Sequence, residues 1–218
     1  MQRVRVKVCC IASVEEAATA IRAGADALGL VAEMPSGPGT IHDDLIAEIA
    51  RYAPPPVATF LLTARTDAHA IAAHHEHCRT SVLQLVDFVE PADHRRLRHL
   101  LPETRLVQVI HVTDTDSVEE ARAAAEHCHA ILLDSGNASL PIKELGGTGR
   151  THDWALSRQI VDAVGVPVFL AGGLSPENAA DAIAAARPYA LDLCSGVRTN
   201  GRLDATKLAA FFRAVRDA

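Results

Sequence analysis

The sequence predicts an α/β fold, a single (β/α)8 TIM barrel that takes in residues 1–218. Eight strand-like segments alternate with eight helix-like segments, and no shift in composition marks a domain boundary. The strand candidates are short apolar runs, mostly without alternation, as expected of parallel strands that are covered on both faces. The last two strand candidates each end in small residues, Gly172-Gly173 and Ser195-Gly196. Barrel enzymes often bind phosphate with the loops at these two places.

Each strand candidate is an apolar run that stops at a turn or at a polar residue. The seventh contains Pro167 near its start, where a missing backbone N–H is tolerated. In chain order the strand candidates are Val4–Cys10, Ala27–Ala32, Val57–Leu62, Val82–Asp87, Leu106–Val112, Ala130–Asp134, Val166–Ala171 and Ala190–Cys194.

A helix candidate follows each strand, and several begin with capping signals. Ser13 with Glu16, and Ser117 with Glu120, are spaced as capping boxes, in which serine and glutamate satisfy each other's backbone donors. The two copies lie four βα units apart, which fits either a repeatedly used cap or a relic of half-barrel duplication. Ser175 is expected to cap the seventh helix. In chain order the helix candidates are Val14–Ala23, Asp43–Tyr52, Asp67–Cys78, Ala92–Leu101, Val118–Cys128, Asp153–Val164, Pro176–Ala186 and Ala205–Val215.

Composition limits the classes of partner. A net charge of −6 argues against a nucleic-acid or anionic-membrane partner, since both need basic patches. The chain contains no run of about 18 apolar residues, so no membrane span is expected. The beginning of the sequence lacks the apolar stretch of a signal peptide, and the five cysteines are odd in number and scattered. We therefore expect a reduced, cytoplasmic setting.

The ends of the strands are the expected place for chemistry in such a barrel. Two of the loops that follow them are long, 33–41 and 135–151, and the second contains a glycine-rich run with Gly147 and Thr148. Such a loop can approach a ligand closely. We expect a phosphorylated small molecule as the ligand, with its phosphate held by backbone amides. The expected phosphate- and substrate-binding residues are Gly147, Thr148, Gly172, Gly173, Ser195 and Gly196.

Several ordered motifs resemble those of the phosphoribosylanthranilate isomerase family. The resemblance covers the whole chain and is strongest in its C-terminal half. Any one motif is weak, but the ordered set at matching strand ends is specific. The motifs are KVCC at 7–10, LLD at 132–134, GGTG at 146–149 followed by DW at 153–154, LAGGLSPEN at 170–178 and RPYALDLCSGV at 187–197.

The resemblance implies a barrel of the ribulose-phosphate-binding type that catalyses an Amadori rearrangement, without cofactor or metal, in tryptophan biosynthesis. It assigns Cys9 as the general base and Asp134 as the general acid. A thiolate is a competent base near neutral pH when positive charge lies nearby. An aspartate acts as an acid when burial or a negative neighbour raises its pKa. We interpret Cys78, Cys128 and Cys194 as packing residues.

This chain also departs from the family pattern. Cys10 stands where the family usually has glycine, and strand alternation places it on the opposite face from Cys9, packed against helices. Gly39 occupies the region of an expected arginine that binds the anthranilate carboxylate, a contact worth about 1.5–3 kcal/mol. The residues that could instead determine substrate specificity are Glu33, Asp87, His111 and Arg198.

Three hypotheses follow from these matches and departures. The first is an isomerase acting on N-(5-phosphoribosyl)anthranilate. The second is a sister isomerase that keeps Cys9 and Asp134 but acts on a different sugar phosphate. The third is a barrel that binds a phosphorylated ligand without turnover. Glu33, Asp87 and His111 end neighbouring strands and could form a metal site, but no close-spaced ligand motif supports one. For oligomeric state we expect a monomer or a homodimer.

Overall fold

The computed structural model describes residues 3–136, 149 and 151–218. Within them eight parallel strands close into a barrel in the order β1 to β8, which confirms the predicted fold. The strands are β1 (Arg5–Val8), β2 (Ala27–Val31), β3 (Ala58–Thr63), β4 (Val82–Leu85), β5 (Arg105–His111), β6 (Ala130–Asp134), β7 (Val168–Leu170) and β8 (Ala190–Leu193).

Eight helices surround the strands in the part of the chain that the structure describes. Two of them, α1 and α2, have the bounds that the sequence predicts. The ends of the other six mostly differ from the predicted ends, by one to three residues. The helices are α1 (Val14–Ala23), α2 (Asp43–Tyr52), α3 (Ala68–Cys78), α4 (Pro91–Leu100), α5 (Asp116–Ala125), α6 (Trp154–Ala163), α7 (Ala179–Ala186) and α8 (Ala205–Asp217). No helix among the described residues is both long enough and apolar enough to cross a membrane.

The barrel separates the apolar residues into two layers. One fills the space between strands and helices and includes Val6, Val8 and Leu28, all essentially inaccessible to solvent. The other fills the barrel interior and includes Phe60, Leu132 and other inward-facing residues. Because side chains alternate along a strand, residues two apart face the same side, and the inward-facing positions at the open end of the barrel include polar side chains.

Of the two predicted capping boxes, only the first caps a helix. The side chain of Ser13 accepts a hydrogen bond from the backbone N–H of Glu16 (3.2 Å), and α1 begins there. The second prediction is wrong, because α5 begins at Asp116, ahead of Ser117. The carboxylate of Asp114 accepts a hydrogen bond from the Asp116 N–H (2.9 Å), which begins the helix earlier.

The seventh helix also begins later than predicted. Residues 176–178 form a turn, and α7 starts at Ala179 rather than after a Ser175 cap. The side chain of Asn178 explains the delay. Its carbonyl oxygen accepts from the Ser175 N–H (2.8 Å), and its amide donates to the Gly173 carbonyl (3.0 Å). These bonds hold the loop after β7 in place instead of extending the helix.

A short hairpin between β8 and α8 was not predicted. A 3-10 turn at Ser195–Val197 leads into β9 (Arg198–Thr199) and β10 (Arg202–Leu203), which pair antiparallel. Asn200 and Gly201 both have positive φ, at 50° and 77°, as the tight turn between the strands requires. The hairpin keeps the end of β8 close to the beginning of α1, where Arg198 pairs with Glu16 (3.0 Å).

Candidate active site

A cavity opens at the carboxyl ends of the strands. Its wall includes residues at the ends of β1, β2, β6, β7 and β8. Of the site residues expected from the sequence, Cys9, Asp134, Gly172, Gly173 and Ser195 line it. Gly147 and Thr148 lie outside the described residues.

A buried ion pair lies at the base of this cavity. Lys7 on β1 and Asp192 on β8 are register partners, and their Nζ and Oδ2 atoms lie 2.8 Å apart. Lys7 has no exposed surface, and Asp192 is 7% exposed. Burial alone would lower the pKa of Lys7, but the Asp192 carboxylate and the Cys9 thiol outweigh it and hold that pKa above its usual value. Lys7 is therefore a permanent positive charge beneath the cavity.

The same ammonium group contacts the thiol of Cys9. Lys7 Nζ lies 3.4 Å from Cys9 Sγ, because two residues along a strand bring both side chains to the same face. Sequence reasoning included Lys7 in a motif without giving it a role, although its spacing of two from Cys9 was the available signal.

The space for this contact comes from Gly29 on β2. A Cβ atom at Gly29 would lie 2.6 Å from Cys9 Sγ and 2.9 Å from Lys7 Nζ, closer than atoms pack. The absence of a side chain at Gly29 thus admits both groups. No local sequence pattern marks this glycine, because the atoms it accommodates belong to a neighbouring strand.

Asp134 is the last residue of β6 and is 7% exposed. Its Oδ1 atom accepts a hydrogen bond from the Ser135 N–H (2.8 Å). Burial raises the pKa of Asp134, and the nearby carboxylate of Asp192 adds to that effect, against the opposing influence of the Ser135 N–H, His111 and Lys7. A carboxyl group with a raised pKa is suited to donate a proton, as the sequence-based role requires.

The loops after β7 and β8 form one wall of the cavity. Gly172 and Gly173 have positive φ, at 87° and 60°, which turns the backbone sharply after the strand. Gly196 contacts the first loop so closely that a Cβ there would lie 2.0 Å from the Leu174 carbonyl oxygen. Among the described residues, the backbone N–H groups of Gly172, Gly173, Ser195 and Gly196 have no hydrogen-bond acceptor. These N–H groups are available to an anion.

The loop after β2 forms another part of the cavity wall. Met34, Ser36, Gly37 and Pro38 line it. Gly39, at φ 78°, packs on the loop after β1, and a Cβ there would lie 2.6 Å from the Cys10 Cβ atom. No Arg or Lys side chain is among the described residues that line the cavity.

The expectation that Cys10 packs against helices is wrong. β1 ends at Val8, and Cys10 has a φ of 61°, so strand alternation no longer determines its direction. Cys10 lines the cavity beside Cys9. Cys194, interpreted from sequence as a packing residue, also lines the cavity, and its Sγ atom lies 2.6 Å from that of Cys10.

The four residues suggested for substrate specificity lie outside the described cavity lining. The Nε2 atom of His111 lies 3.1 Å from the Val86 carbonyl. The guanidinium group of Arg198 donates to Glu16 and to the backbone carbonyl of Cys10. Arg198 thereby supports the loop that carries the cysteines, whereas Glu33 is exposed and Asp87 half-buried at the barrel rim.

Gln84 is a cavity residue that the sequence marks only as part of the fourth strand candidate. It lies on β4, is 3% exposed, and lines the cavity. Its Oε1 atom has no hydrogen-bond partner among the described residues, and neither has Oδ1 of Asp192. Two buried acceptors thus point to a ligand with hydrogen-bond donors.

One group of three side chains among the described residues brings possible metal-binding atoms within 4.8 Å of one another. It consists of Asp43, His74 and Cys78, on α2 and α3. None of the three lines the cavity. Within the described part of the chain, the suggested set of Glu33, Asp87 and His111 forms no such group.

Comparison with known proteins gives a consistent result. A family model described as N-(5'-phosphoribosyl)anthranilate (PRA) isomerase matches residues 6–214. An N-(5'-phosphoribosyl)anthranilate isomerase of Methanocella arvoryzae is 37% identical over 198 residues, 91% of each chain. The phosphoribosyl anthranilate isomerase structure from Thermotoga maritima superposes with a TM-score of 0.84 at 27% identity, covering 99% of this chain and 100% of that one. Another such isomerase, in complex with reduced 1-(o-carboxyphenylamino)-1-deoxyribulose 5-phosphate, has a TM-score of 0.81 at 26% identity, covering 99% and 100%.

The Lys7–Asp192 ion pair predicts a strongly non-additive mutant cycle. Lys7→Met leaves a buried carboxylate without a partner and is expected to lower the free energy of unfolding by about 3–5 kcal/mol. The double variant Lys7→Met/Asp192→Leu removes both charges and should recover much of that loss. Urea denaturation followed by circular dichroism measures both values. If the losses caused by Lys7→Met and by Asp192→Leu simply added in the double variant, the two side chains would not be a coupled pair.

The raised pKa of Asp134 predicts a pH-dependent gain in stability for Asp134→Asn. In the wild type the folded state keeps a proton that the unfolded state loses above the usual pKa of 3.8. Wild-type stability therefore falls as pH rises from 3.8 to the raised pKa, by up to about 1.4 kcal/mol per pH unit. Asp134→Asn lacks this loss. The free energy of unfolding of the variant minus that of the wild type should therefore be larger at pH 7 than at pH 3.5. Urea denaturation at both values tests this, and a difference independent of pH would refute it.

Proposed function

The chain belongs to the N-(5'-phosphoribosyl)anthranilate isomerase family, and from this premise we propose that it catalyses the Amadori rearrangement of N-(5'-phosphoribosyl)anthranilate in tryptophan biosynthesis. The observation that carries this proposal is the placement of Cys9 and Asp134 in one cavity. The first has an ammonium neighbour and the second a raised pKa. We also propose that residues 1–218 act as one domain and that the protein is cytoplasmic, as a monomer or homodimer.

The reaction begins at the ring oxygen of the ribose. Asp134, whose pKa is raised by burial, donates its proton to that oxygen while the C1–O bond breaks, and the amine nitrogen supplies the electrons to form a protonated Schiff base. The Cys9 thiolate then removes the proton from C2. The electrons of that C–H bond form a C1–C2 double bond, and the imine becomes an amine. Tautomerisation of the resulting enol gives the 1-amino-ketose.

Lys7 acts in this scheme as a positioning residue. Its ammonium group lies 3.4 Å from the Cys9 sulfur and holds it in place for removal of the C2 proton. Asp192 holds Lys7 in place from the adjacent strand. The unpartnered Gln84 and Asp192 acceptors lie in the same cavity and can accept hydrogen bonds from the sugar hydroxyl groups.

The substrate phosphate is best accommodated by the loops after β7 and β8. Their four unpaired N–H groups, from Gly172, Gly173, Ser195 and Gly196, supply donors and partial positive charge without a cationic side chain. This leaves the anthranilate ring for the part of the wall formed by the loop after β2. There Met34 and Pro38 offer an apolar surface. The described lining contains no cationic side chain that could bind the carboxylate of the ring. A second aminoaldose phosphate should therefore be tested alongside the first.

The proposed roles predict large losses of activity for two conservative substitutions. Cys9→Ala and Asp134→Asn should each lower kcat/KM for N-(5'-phosphoribosyl)anthranilate by about 10²–10⁴-fold, because each removes a proton-transfer group. The conversion is followed with purified protein, and in parallel by growth without tryptophan of a strain that lacks this isomerase. Cys128→Ala, a buried cysteine outside the cavity, is the matched control and should retain activity.

The outcomes separate the three hypotheses. Activity on the anthranilate substrate that survives Cys9→Ala would overturn the assigned base. Turnover of only a different aminoaldose phosphate, abolished by the same substitution, would establish a sister isomerase. Tight binding of phosphorylated ligands with no turnover of either substrate would indicate a binding protein.

The close approach of Gly29 to Cys9 predicts a second, geometric effect on catalysis. Gly29→Ala places a methyl group 2.6 Å from Cys9 Sγ, so the thiol must shift. We expect kcat to fall by about 10–100-fold, since small misplacements of a reacting group are costly, with KM little changed. Gly165→Ala is the matched control, because a Cβ there meets no atom within 4 Å. Equal kcat values for the two variants would refute the role of Gly29.

A further inference from the structure

Two cysteines that the proposed reaction does not use meet at the mouth of the cavity. Cys10 follows β1 and Cys194 follows β8, and these strands are paired in the barrel. The Cys9 N–H donates to the Leu193 carbonyl (2.8 Å), so the residues that follow them, Cys10 and Cys194, lie side by side. The Sγ atoms of Cys10 and Cys194 are 2.6 Å apart.

We propose that Cys10 and Cys194 are a modification site, which forms a reversible disulfide when a two-electron oxidant enters the cavity. A disulfide bond is about 2.05 Å long, so the two sulfur atoms need to approach each other by only about half an ångström. Both thiols are free in the reduced protein. The oxidant class is a hydroperoxide or a small-molecule disulfide.

Access to this pair is through the cavity itself. Cys10 and Cys194 both line it, and Cys194 is only half-buried. Cys78 and Cys128 lie in the layer between strands and helices and do not line the cavity. Of the five cysteines, these last two are therefore shielded from a small oxidant, whereas three can be reached.

The surroundings assign different roles to the two sulfur atoms. The neighbouring Cys10 thiol lowers the pKa of Cys194 against the effect of burial, with Arg198 assisting. The adjacent thiols of Cys194 and Cys9, together with burial, raise the pKa of Cys10. Cys194 is also the more exposed of the two, so it is the attacking thiolate and Cys10 the resolving thiol.

The chemistry balances with hydrogen peroxide as oxidant. The Cys194 thiolate attacks one peroxide oxygen, the O–O bond breaks, and with one added proton the products are a sulfenic acid and water. Cys10 sulfur then attacks the Cys194 sulfur, the S–O bond breaks, and its oxygen leaves as a second water with the protons of both groups. The two thiols lose two electrons in total, and a dithiol such as dithiothreitol returns them.

The expected consequence for activity rests on the proposed function. Cys9 directly precedes Cys10, and Ser195 directly follows Cys194, so the disulfide would join the backbone of the base to that of the phosphate-binding loop. Gly39 packs against Cys10 and leaves no free space between them, since a Cβ atom at Gly39 would lie 2.6 Å from that of Cys10. We expect the oxidised form to have at least tenfold lower kcat/KM, restored by the reductant.

The test is direct detection of the bond, which does not depend on catalysis. The full-length protein is treated with hydrogen peroxide, denatured, and its free thiols are alkylated and counted by mass spectrometry. The expected result is three free thiols out of five, with a peptide that joins Cys10 to Cys194. Cys10→Ser and Cys194→Ser should form no such bond, whereas Cys128→Ala should form it at the wild-type rate.

The alternative outcomes overturn the proposal. A bond between Cys9 and Cys10, or oxidation of Cys9 alone at the same peroxide dose, would refute it, as would five remaining thiols. If the bond forms in a protein without isomerase activity, the modification site stands and the proposed function fails. If the bond forms and activity on the anthranilate substrate is unchanged, the modification site stands and its expected effect on catalysis is refuted.

Discussion

The buried ion pair between Lys7 and Asp192 is the interaction on which the site depends. Two charges without solvent are costly to bury, and each is tolerated because the other lies 2.8 Å away on the neighbouring strand. The pair joins β1 to β8, where the barrel closes, and it places an ammonium group beneath Cys9. It therefore connects the closure of the fold with the electrostatics of the cavity. The same two charges act in opposite directions on Asp134, where burial decides the outcome in favour of the protonated acid.

Close contacts at glycine give the cavity its shape. Gly29 admits the Cys9 thiol and the Lys7 ammonium group from the adjacent strand, and Gly196 brings the loop after β8 against the loop after β7. Each position leaves no space for a methyl group, so chemistry and packing are coupled there. The loops that result contain four N–H groups without a hydrogen-bond acceptor among the described residues. A phosphorylated ligand matches such a set of donors.

Cys10 shows how one residue after β1 determines the surroundings of the cavity. Its left-handed backbone conformation is one that glycine adopts without strain, and the cysteine side chain is turned toward Cys194 rather than toward the helices. Arg198 holds the same loop through the Cys10 carbonyl and pairs with Glu16 at the start of α1. The residues around the cavity mouth thus form a connected set that links β1, β8 and α1.

The sequence by itself determined the eight strand–helix units, the strands that end in glycine and the positions of Cys9 and Asp134 at strand ends. The first two features are local, since hydrophobic period and turn residues are read within one stretch of chain. The third came from the order of the motifs along the whole chain. Only the tertiary structure decided the pairing of Lys7 with Asp192, the need for Gly29 and the meeting of Cys10 with Cys194. Each of these joins strands or loops that are distant in sequence, and barrel closure brings them together. The late start of α7 belongs with them, because side-chain bonds of Asn178 to the preceding loop override the helical signal.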